Sequence, residues 1–374
     1  MIKIVYIIKK WESQGILSYH ANLISLLLNK GYKGFVFVQE LQRTPKQLAP
    51  ISYPLVKWKV IRDILKIKPN VLIIFHYFGS PFVLPILLLS RVFGIRTVIV
   101  TDFTEIGFPR IHKSPIKTFK DIVRYFLLSF QLFLVDSPVC YTEYEEKVLS
   151  KMMFPKRKFT IIPIGSNFKI NTLKKENYIL TVSRWWSDRK NLHTILKVFS
   201  EIKKNVGNYK LVIVGKFTSG KYFIPDENRY ETGAEYKQKI LNIINELNLK
   251  NCIEFVGVKT GKDLEKLFKK ARIFYLPSKN ETFGVVFVEA MASGTPIVAM
   301  KNSAVQYVVK DEVTGFLRNT EKGQKEAILR LLTDKELYKQ IQKNCLKEAG
   351  RYKWNIIVKK WERLIIELTG EEIY

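Results

Sequence analysis

Apolar residues along the chain form short runs typical of buried strands, separated by longer stretches with helical spacing. In the first half, runs rich in β-branched and aromatic residues occupy positions 4–8, 35–38, 71–75, 97–100 and 160–162. The corresponding runs of the second half are 178–182, 210–214, 253–256, 273–276 and 296–299. Strands that alternate with helices indicate a mainly parallel sheet with helices on both faces. We therefore predict an α/β protein with two doubly wound, Rossmann-like domains.

The length of the chain agrees with two domains, because 374 residues exceed the usual ~100 to 200 residues of a single domain. A turn-rich segment at 163–167, followed by polar residues, predicts the hinge. We expect an N-terminal domain at 1–168, a C-terminal domain at 169–355 and a last helical segment at 356–374. Facing domains of this class bind ligands in a shared cleft at the C-terminal ends of their strands.

Cysteine usage and apolar run lengths indicate a cytoplasmic protein. Cys140, Cys252 and Cys345 are widely spaced, which argues against a disulfide framework or a zinc knuckle. The N-terminal segment 1–13 has charged residues inside and after a short apolar run, so a buried strand is expected there rather than a signal peptide. No apolar run reaches the ~20 residues that span a bilayer.

The formal charge of +28, from 62 Lys and Arg against 34 Asp and Glu, predicts anionic partners. Nucleoside diphosphates, an acidic membrane surface and nucleic acid all qualify, and a lysine-rich composition without any such partner is the alternative.

Two glutamates, Glu281 and Glu289, stand eight positions apart. We expect the first in a loop before a helix and the second about two turns along it, on the same side, since a turn takes ~3.6 residues. Ionised carboxylates only accept hydrogen bonds, so the pair suits a polyhydroxy ligand such as a ribose with a sugar ring. An isolated pair at this spacing also fits two solvated glutamates on an ordinary helix.

The residues around this pair resemble the E-x7-E signature of retaining GT-B glycosyltransferases, in particular the large family 4, which uses nucleotide sugars. The matching residues are Phe283-Gly284, Glu289-Ala290-Met291-Ala292, Gly294, Pro296 and Val313-Thr314-Gly315-Phe316-Leu317. The resemblance implies the GT-B fold, in which two Rossmann-like domains face a central cleft and the terminal helix crosses back to the N-terminal domain. It implies hexosyl transfer from a nucleotide-diphosphate sugar, which is a substrate, with no cofactor.

A basic loop after the first strand of the second half carries Arg184 and Lys190 just before a helix. The planar guanidinium, the mobile ammonium and a helix N-terminus together suit a diphosphate. The stretch resembles the family's G-R-x-x-x-x-K-G pattern, with Ser183 and Asn191 in place of glycines. Its spacing is one residue longer, which leaves Arg189 as an alternative to Lys190.

The resemblance gives each donor-site residue a role. Glu289 would bind the ribose hydroxyls and Glu281 those of the transferred sugar. Backbone N–H groups at Phe283, Gly284 and Val285 would cap the phosphates. Arg184 and Lys190 would neutralise the departing diphosphate. No D-x-D pair is present to hold a cation, so no metal is expected.

Strand ends supply the remaining candidates. Gly215 and Gly257 follow strands of the second half, where the family places the base and sugar. Gly15 matches one of the two glycines that the family has after its first strand. Asp102 stands at the place of a catalytic histidine, as a hydrogen-bond partner or base for the acceptor, although a strand-end aspartate is as often a cap. His76 ends another strand and is a further candidate.

A basic helix predicted from Ser114-Pro115 onward suggests a lipid-linked acceptor at an anionic membrane. Its positive residues, Lys117, Lys120 and Arg124, recur beside Phe119, Ile122, Val123 and Phe126. Such a helix suits a membrane interface. It equally fits an apolar stripe buried in the core with solvated lysines. A second basic cluster occupies residues 151–158.

Three other functions compete with transfer. Charge, with Trp185-Trp186, allows weak nucleic-acid binding, but there is no motif for specific recognition. A nicotinamide dehydrogenase would need a G-x-G-x-x-G turn after a strand and an acidic residue beyond it, and this sequence lacks both. A GT-B relative that has become a binding subunit would explain the departures at Gln14, Asp102 and Tyr307.

Overall fold

The computed structural model describes most of the chain. The described residues are 1–8, 16–38, 46–55, 57–75, 80–101, 115–151, 157–185, 188–217, 220–224, 229–302 and 304–371. They form two compact units, of which unit 1 joins residues 1–165 to 354–374 and unit 2 is the continuous segment 166–353. The chain therefore changes unit after Gly165 and again after Lys353, a few residues before the expected boundaries at 168 and 355.

Unit 1 is built on a parallel sheet of seven strands. In chain order, the strands are β1 (Lys3–Ile8), β2 (Lys33–Val38), β3 (Ser52–Pro54), β4 (Val71–Phe75), β5 (Arg96–Val100), β6 (Ser137–Cys140) and β7 (Thr160–Ile161). Their order across the sheet is β3-β2-β1-β4-β5-β6-β7. β4 is buried along its whole length, as expected of a central strand covered by helices on both faces.

The helices of unit 1 fill the connections between these strands. They are α1 (Ile16–Asn29), α2 (Lys57–Ile67), α3 (Val83–Val92), α4 (Pro115–Leu134) and α5 (Glu143–Lys151). A core of residues such as Val5, Ile64 and Leu87 lies between the sheet and these helices.

Unit 2 repeats this design. Its strands are β8 (Tyr178–Val182), β9 (Lys210–Val214), β10 (Lys221–Ile224), β11 (Arg229–Thr232), β12 (Ile253–Gly257), β13 (Ile273–Leu276), β14 (Ile297–Ala299) and β15 (Gly315–Leu317). Six of them form a parallel sheet in the order β12-β9-β8-β13-β14-β15, and β10 and β11 form a separate antiparallel pair. The sheet order reverses between β8 and β13, which is the topological switch point where such sheets bind ligands.

Helices again connect the strands of unit 2. They are α6 (Leu192–Lys203), α7 (Gly233–Glu246), α8 (Gly261–Lys270), α9 (Val285–Ala292), α10 (Val305–Val308), α11 (Glu321–Thr333) and α12 (Lys335–Ala349). The hairpin of β10 and β11 leads into α7, whose N-terminus carries a capping box between Thr232 and Glu235.

The helix α13 (Trp354–Thr369) follows unit 2 in the chain but belongs to unit 1. Trp354 stacks on Tyr19 at 6.3 Å between ring centroids, and Trp361 lies 6.4 Å from Phe75. No helix within the described ranges has both the length and the apolar character needed to cross a bilayer.

Candidate functional site

The loops after β8 and β13 meet at the switch point of unit 2, and one ion pair joins them. Lys190 Nζ lies 2.6 Å from Glu281 Oε1. The two side chains are largely buried, with 16% and 12% of their surfaces exposed. The sequence places these residues 91 positions apart, and the adjacent parallel strands bring them together. The structure thus pairs the basic and acidic candidates directly.

Glu281 is held by its own loop as well. Ser278 Oγ donates a hydrogen bond of 2.6 Å to the same Oε1 atom that contacts Lys190. Asn302 Nδ2 donates to the carbonyl oxygen of Ser278, and the Ala304 backbone N–H donates to the Glu281 carbonyl at 3.4 Å. These contacts fix the carboxylate position. Sequence analysis did not identify Ser278 as a hydrogen-bond partner of the glutamate.

Asn191, the N-cap residue of α6, has a left-handed backbone with φ 59° and ψ 38°. The family pattern has glycine at this position, and asparagine is among the side chains that tolerate this conformation best. Its Nδ2 donates to the carbonyl oxygen of Pro277 at 3.2 Å. The departure from glycine therefore preserves the turn that carries Lys190 and ties it to the loop of Glu281. Arg189, the alternative basic residue, accepts a hydrogen bond from the Lys279 backbone N–H through its carbonyl oxygen at 2.9 Å.

The N-terminus of α9 follows Glu281 closely. Gly284 is its N-cap with φ 74°, and a Cβ there would lie 2.5 Å from the ring of Phe287. Both the positive φ and the close approach of the Phe287 ring require glycine at this turn. Phe283 is buried and packs edge-on against Tyr352 at 5.9 Å, so its side chain belongs to the core of unit 2. Val285 is the first helical residue.

Glu289 lies in the second turn of α9 and is buried, with 8% of its surface exposed. The expectation that it lies about two turns along the helix is wrong, because Glu281 precedes the first helical residue by four positions. The eight-residue spacing therefore does not set a common helical face for the two carboxylates. Their placement comes from the loop bonds of Glu281 and the position of α9.

Gly215 and Gly257, at the ends of the neighbouring strands β9 and β12, differ in their surroundings. A Cβ on Gly215 would lie 1.7 Å from the carbonyl oxygen of Ser183, and its φ is 126°. The close approach is thus to protein backbone rather than to a ligand. Gly257 accepts the Gly215 backbone N–H at 2.8 Å and has open space where a side chain would be. Arg184 is exposed on the loop after β8.

Lys175 lies at the C-terminal end of α9, where its Nζ donates to the Ser293 carbonyl oxygen at 3.0 Å and to Thr295 Oγ1 at 2.7 Å. Burial lowers the pKa of this ammonium to about 7. Loss of hydration disfavours the charged form, which explains the direction. No motif or spacing in the sequence pointed to this lysine.

Several candidates fall outside the described residues, namely Gly15, His76 and Asp102. Within the described ranges, no group of three or more His, Cys, Asp or Glu side chains is placed to hold a metal ion. Trp185 is fully buried and its Nε1 donates to the Val214 carbonyl oxygen at 3.1 Å, so it offers no stacking surface to nucleic acid.

Sequence comparison assigns the segment that carries this site. Residues 165–348 match the profile of the family described as glycosyl transferases group 1. That segment belongs to this family. A D-inositol 3-phosphate glycosyltransferase of Saccharomonospora viridis is 30% identical over 125 residues, which is 33% of this chain and 29% of that protein. The chain thus aligns with less than a third of that protein's length.

Comparison of structures covers the whole fold. A sucrose-phosphate synthase from Thermosynechococcus elongatus superimposes with a TM-score of 0.77 at 21% identity, over 99% of this chain and 100% of the other. Anabaena Alr3699/HepE, in complex with UDP and glucose, gives a TM-score of 0.73 at 16% identity over 99% and 100%. This likeness establishes the GT-B fold, as the sequence resemblance implied.

Proposed function

We propose that the protein transfers a hexosyl group from a nucleotide-diphosphate sugar to an acceptor hydroxyl, as a metal-independent enzyme of family 4 that retains the anomeric configuration. The observation that carries this proposal is the buried Lys190–Glu281 pair at the switch point of a group 1 segment. An acid and a base held there can contact the hydroxyls and the phosphates of one ligand.

The donor would bind across the loops after β8 and β13. Lys190 has three N–H donors and keeps two for phosphate oxygens while it contacts Glu281. Arg184 is exposed on the same loop and adds a bidentate phosphate contact. The backbone N–H groups at the start of α9 complete the diphosphate site.

The sugar hydroxyls would bind Glu281, whose Oε1 is already fixed by Ser278 and Lys190. Glu289 would take the ribose hydroxyls from its position in the second turn of α9. The open space beside Gly257 is suited to the nucleoside. UDP is the first nucleotide to test, because the structurally similar Anabaena protein was solved with it.

The reaction we propose breaks the bond between the anomeric carbon and the diphosphate oxygen, and the electron pair goes to that oxygen. Lys190 and Arg184 offset the charge that develops there. The acceptor hydroxyl oxygen bonds to the anomeric carbon on the same face, and its proton passes to the leaving diphosphate. Because the Lys190 and Arg184 side chains would already lie beside the diphosphate before the bond breaks, no free energy is spent on reorienting them during the reaction, and its barrier is lower.

The acceptor is proposed to be a lipid-linked sugar or lipid phosphate at the inner face of a membrane. The support is the charge of +28 together with the exposed apolar face of α4.

A thermal-shift screen with UDP, GDP, ADP and their sugars, followed by transfer assays, tests the function. A ligand at 100 times its Kd stabilises the folded chain by about 2.7 kcal/mol. We expect Glu281→Gln and Lys190→Met to reduce turnover at least about a hundredfold while remaining folded. Glu176→Gln, on an exposed ion pair, is the matched control. Nucleotide binding without turnover in the wild type would favour the binding-subunit alternative, and no nucleotide binding would refute both.

A further inference from the structure

The α4 helix of unit 1 turns a continuous apolar stripe toward solvent. The stripe consists of Ile116, Phe119, Val123, Phe126, Phe130 and Phe133, which succeed one another at intervals of three or four residues and are all exposed. Phe119 and Phe126 expose 65% and 66% of their surfaces. Residues at these intervals share one side of a helix. The sequence left open whether the apolar residues of this helix face the core, and the structure answers that this stripe does not.

The opposite side of α4 fixes this orientation. Leu128 and Leu132 are buried in unit 1, and the buried Gln131 donates through Nε2 to the Ser80 carbonyl oxygen at 2.6 Å. A rotation of the helix that hid the stripe would expose these leucines and break the hydrogen bond. The helix therefore packs on unit 1 through its other side, and the stripe is exposed in addition to those core contacts.

The C-terminal end of α4 is held in place by Arg157. Its guanidinium donates to the carbonyl oxygens of Leu132 at 2.8 Å, Phe133 at 3.1 Å and Asp136 at 3.1 Å, and also to that of Val135. This arginine was predicted as part of a second basic cluster. The structure corrects that interpretation, because the guanidinium caps a helix and is committed to protein carbonyls.

The neighbouring α3, which packs against α4, also exposes apolar residues. Val92 and Phe93 at its C-terminal end are exposed by 77% and 58%, and Leu88 by 44%. Exposed apolar residues scattered singly are ordinary, but a continuous set on one face of a helix, as on α4, marks an interaction surface.

Charge decides which partner fits. The chain carries a net +28, and exposed basic residues such as Arg91, Arg96 and Lys120 lie on and around α3 and α4. The 20 residues of α4 contain a single acidic residue, Asp121. A second copy of so basic a chain would be repelled, whereas a surface with negative charges over an apolar interior would be attracted.

We propose that the stripe of α4 inserts into the interface of a membrane that contains anionic lipid. This inference deepens the proposed function and rests on it only in linking the membrane to the acceptor. The phenylalanine rings enter the boundary between headgroups and acyl chains, and the flanking lysine and arginine side chains contact the lipid phosphates.

Vesicle co-sedimentation tests this surface with the full chain. We expect binding to vesicles of equal parts phosphatidylglycerol and phosphatidylcholine, and weaker binding to pure phosphatidylcholine. The Phe119→Ser/Phe126→Ser variant should lose at least about tenfold in partition coefficient, because two rings leave the apolar phase. Ile356→Ser removes an exposed apolar side chain of α13 in the same unit and should bind as the wild type does.

Three results would overturn the proposal. The first is that the wild type does not bind vesicles at low salt, and the second is that the double variant binds them as strongly as the wild type does. The third is that the wild type does not bind vesicles but is a dimer, which the double variant converts to a monomer. Circular dichroism must first show that the double variant is folded. Glu281→Gln should bind vesicles normally, so a failure of the proposed reaction is distinguishable from a failure of this surface.

Discussion

Removal of the Lys190 ammonium is the sharpest test of the site, because it removes the cation that contacts the largely buried Glu281 carboxylate. The pair is 2.6 Å long and both side chains are largely buried. Breaking such a pair from one side typically costs about 3 to 5 kcal/mol, since the remaining charge is poorly hydrated. The Ser278 hydroxyl still contacts Oε1. We therefore expect Lys190→Met to lower the free energy of unfolding by about 2 to 3 kcal/mol.

The matched control is the pair Lys270–Glu176 in the same unit. Its N···O distance is also 2.6 Å, but the side chains are 32% and 51% exposed. Solvent screens a pair of this kind, so Lys270→Met should cost less than about 1 kcal/mol. The double variant Lys190→Met/Glu281→Gln removes both charges, and we expect it to recover at least about 1 kcal/mol of the loss.

The measurement is urea unfolding of the wild type, the two single lysine variants and the double variant. The slope of the free energy of unfolding against urea concentration is compared among the four proteins. A change in midpoint at constant slope reports the stability difference. The reasoning about burial fails if Lys190→Met and Lys270→Met agree within about 0.5 kcal/mol. It also fails if the double variant is less stable than Lys190→Met.

Three further outcomes follow from other features of the structure. Gly215→Ala should lower the free energy of unfolding by more than about 2 kcal/mol, because a Cβ would meet the Ser183 carbonyl oxygen at 1.7 Å. Gly207→Ala is the control, because a Cβ there would enter open space, and it should change the free energy of unfolding by less than about 0.5 kcal/mol. Equal melting temperatures of the two variants would contradict this expectation. Between about pH 7 and 8.5, the unfolded chain keeps a proton that folded Lys175 has lost, because its pKa falls from 10.5 to about 7. The wild type should therefore gain stability relative to Lys175→Met as the pH rises, by at most about 1.4 kcal/mol per pH unit, and parallel pH curves in urea unfolding would refute the assignment. Arg157→Met should lower the protection of the last turn of α4 against amide hydrogen exchange, since the guanidinium caps its carbonyls, and unchanged protection would rule out that role.

The central strands could be predicted because burial on both faces leaves a continuous apolar run. The predicted runs 71–75 and 178–182 coincide with β4 and β8, and 273–276 with β13. The strands missed by sequence analysis lack that signal. β6 is Ser-Pro-Val-Cys, in which serine and proline leave no continuous apolar run, and β15 is Gly-Phe-Leu, which begins with a glycine.

The site was predictable in its residue types and less so in its geometry. Lys190 and Glu281 were both named from sequence, but their direct contact depends on the adjacency of β8 and β13, which local patterns do not specify. Ser278 was missed as a partner because a serine near a strand end is ordinary in sequence. Asn191 was named as a departure, and only its positive φ explains why asparagine suits that position.

The outward orientation of α4 was also beyond the sequence. Both of its sides are rich in apolar residues, so periodicity alone could not say which side packs on the sheet. The buried Leu128 and Leu132 and the exposed Phe119 and Phe126 differ in environment, and only tertiary contacts separate them.

The placement of α13 has a consequence for biosynthesis. Trp361 of this helix covers Phe75 of β4, and Glu362 forms an ion pair with Lys30 at 3.0 Å. A ribosome makes residues 1–165 first, yet it must translate all of unit 2 before these contacts can form. Unit 2, which is uninterrupted in the chain, has all its elements available sooner. Unit 1, although most of it is translated first, thus cannot complete its contacts until unit 2 has been made, and until then the nascent chain lacks the Trp361 ring beside Phe75.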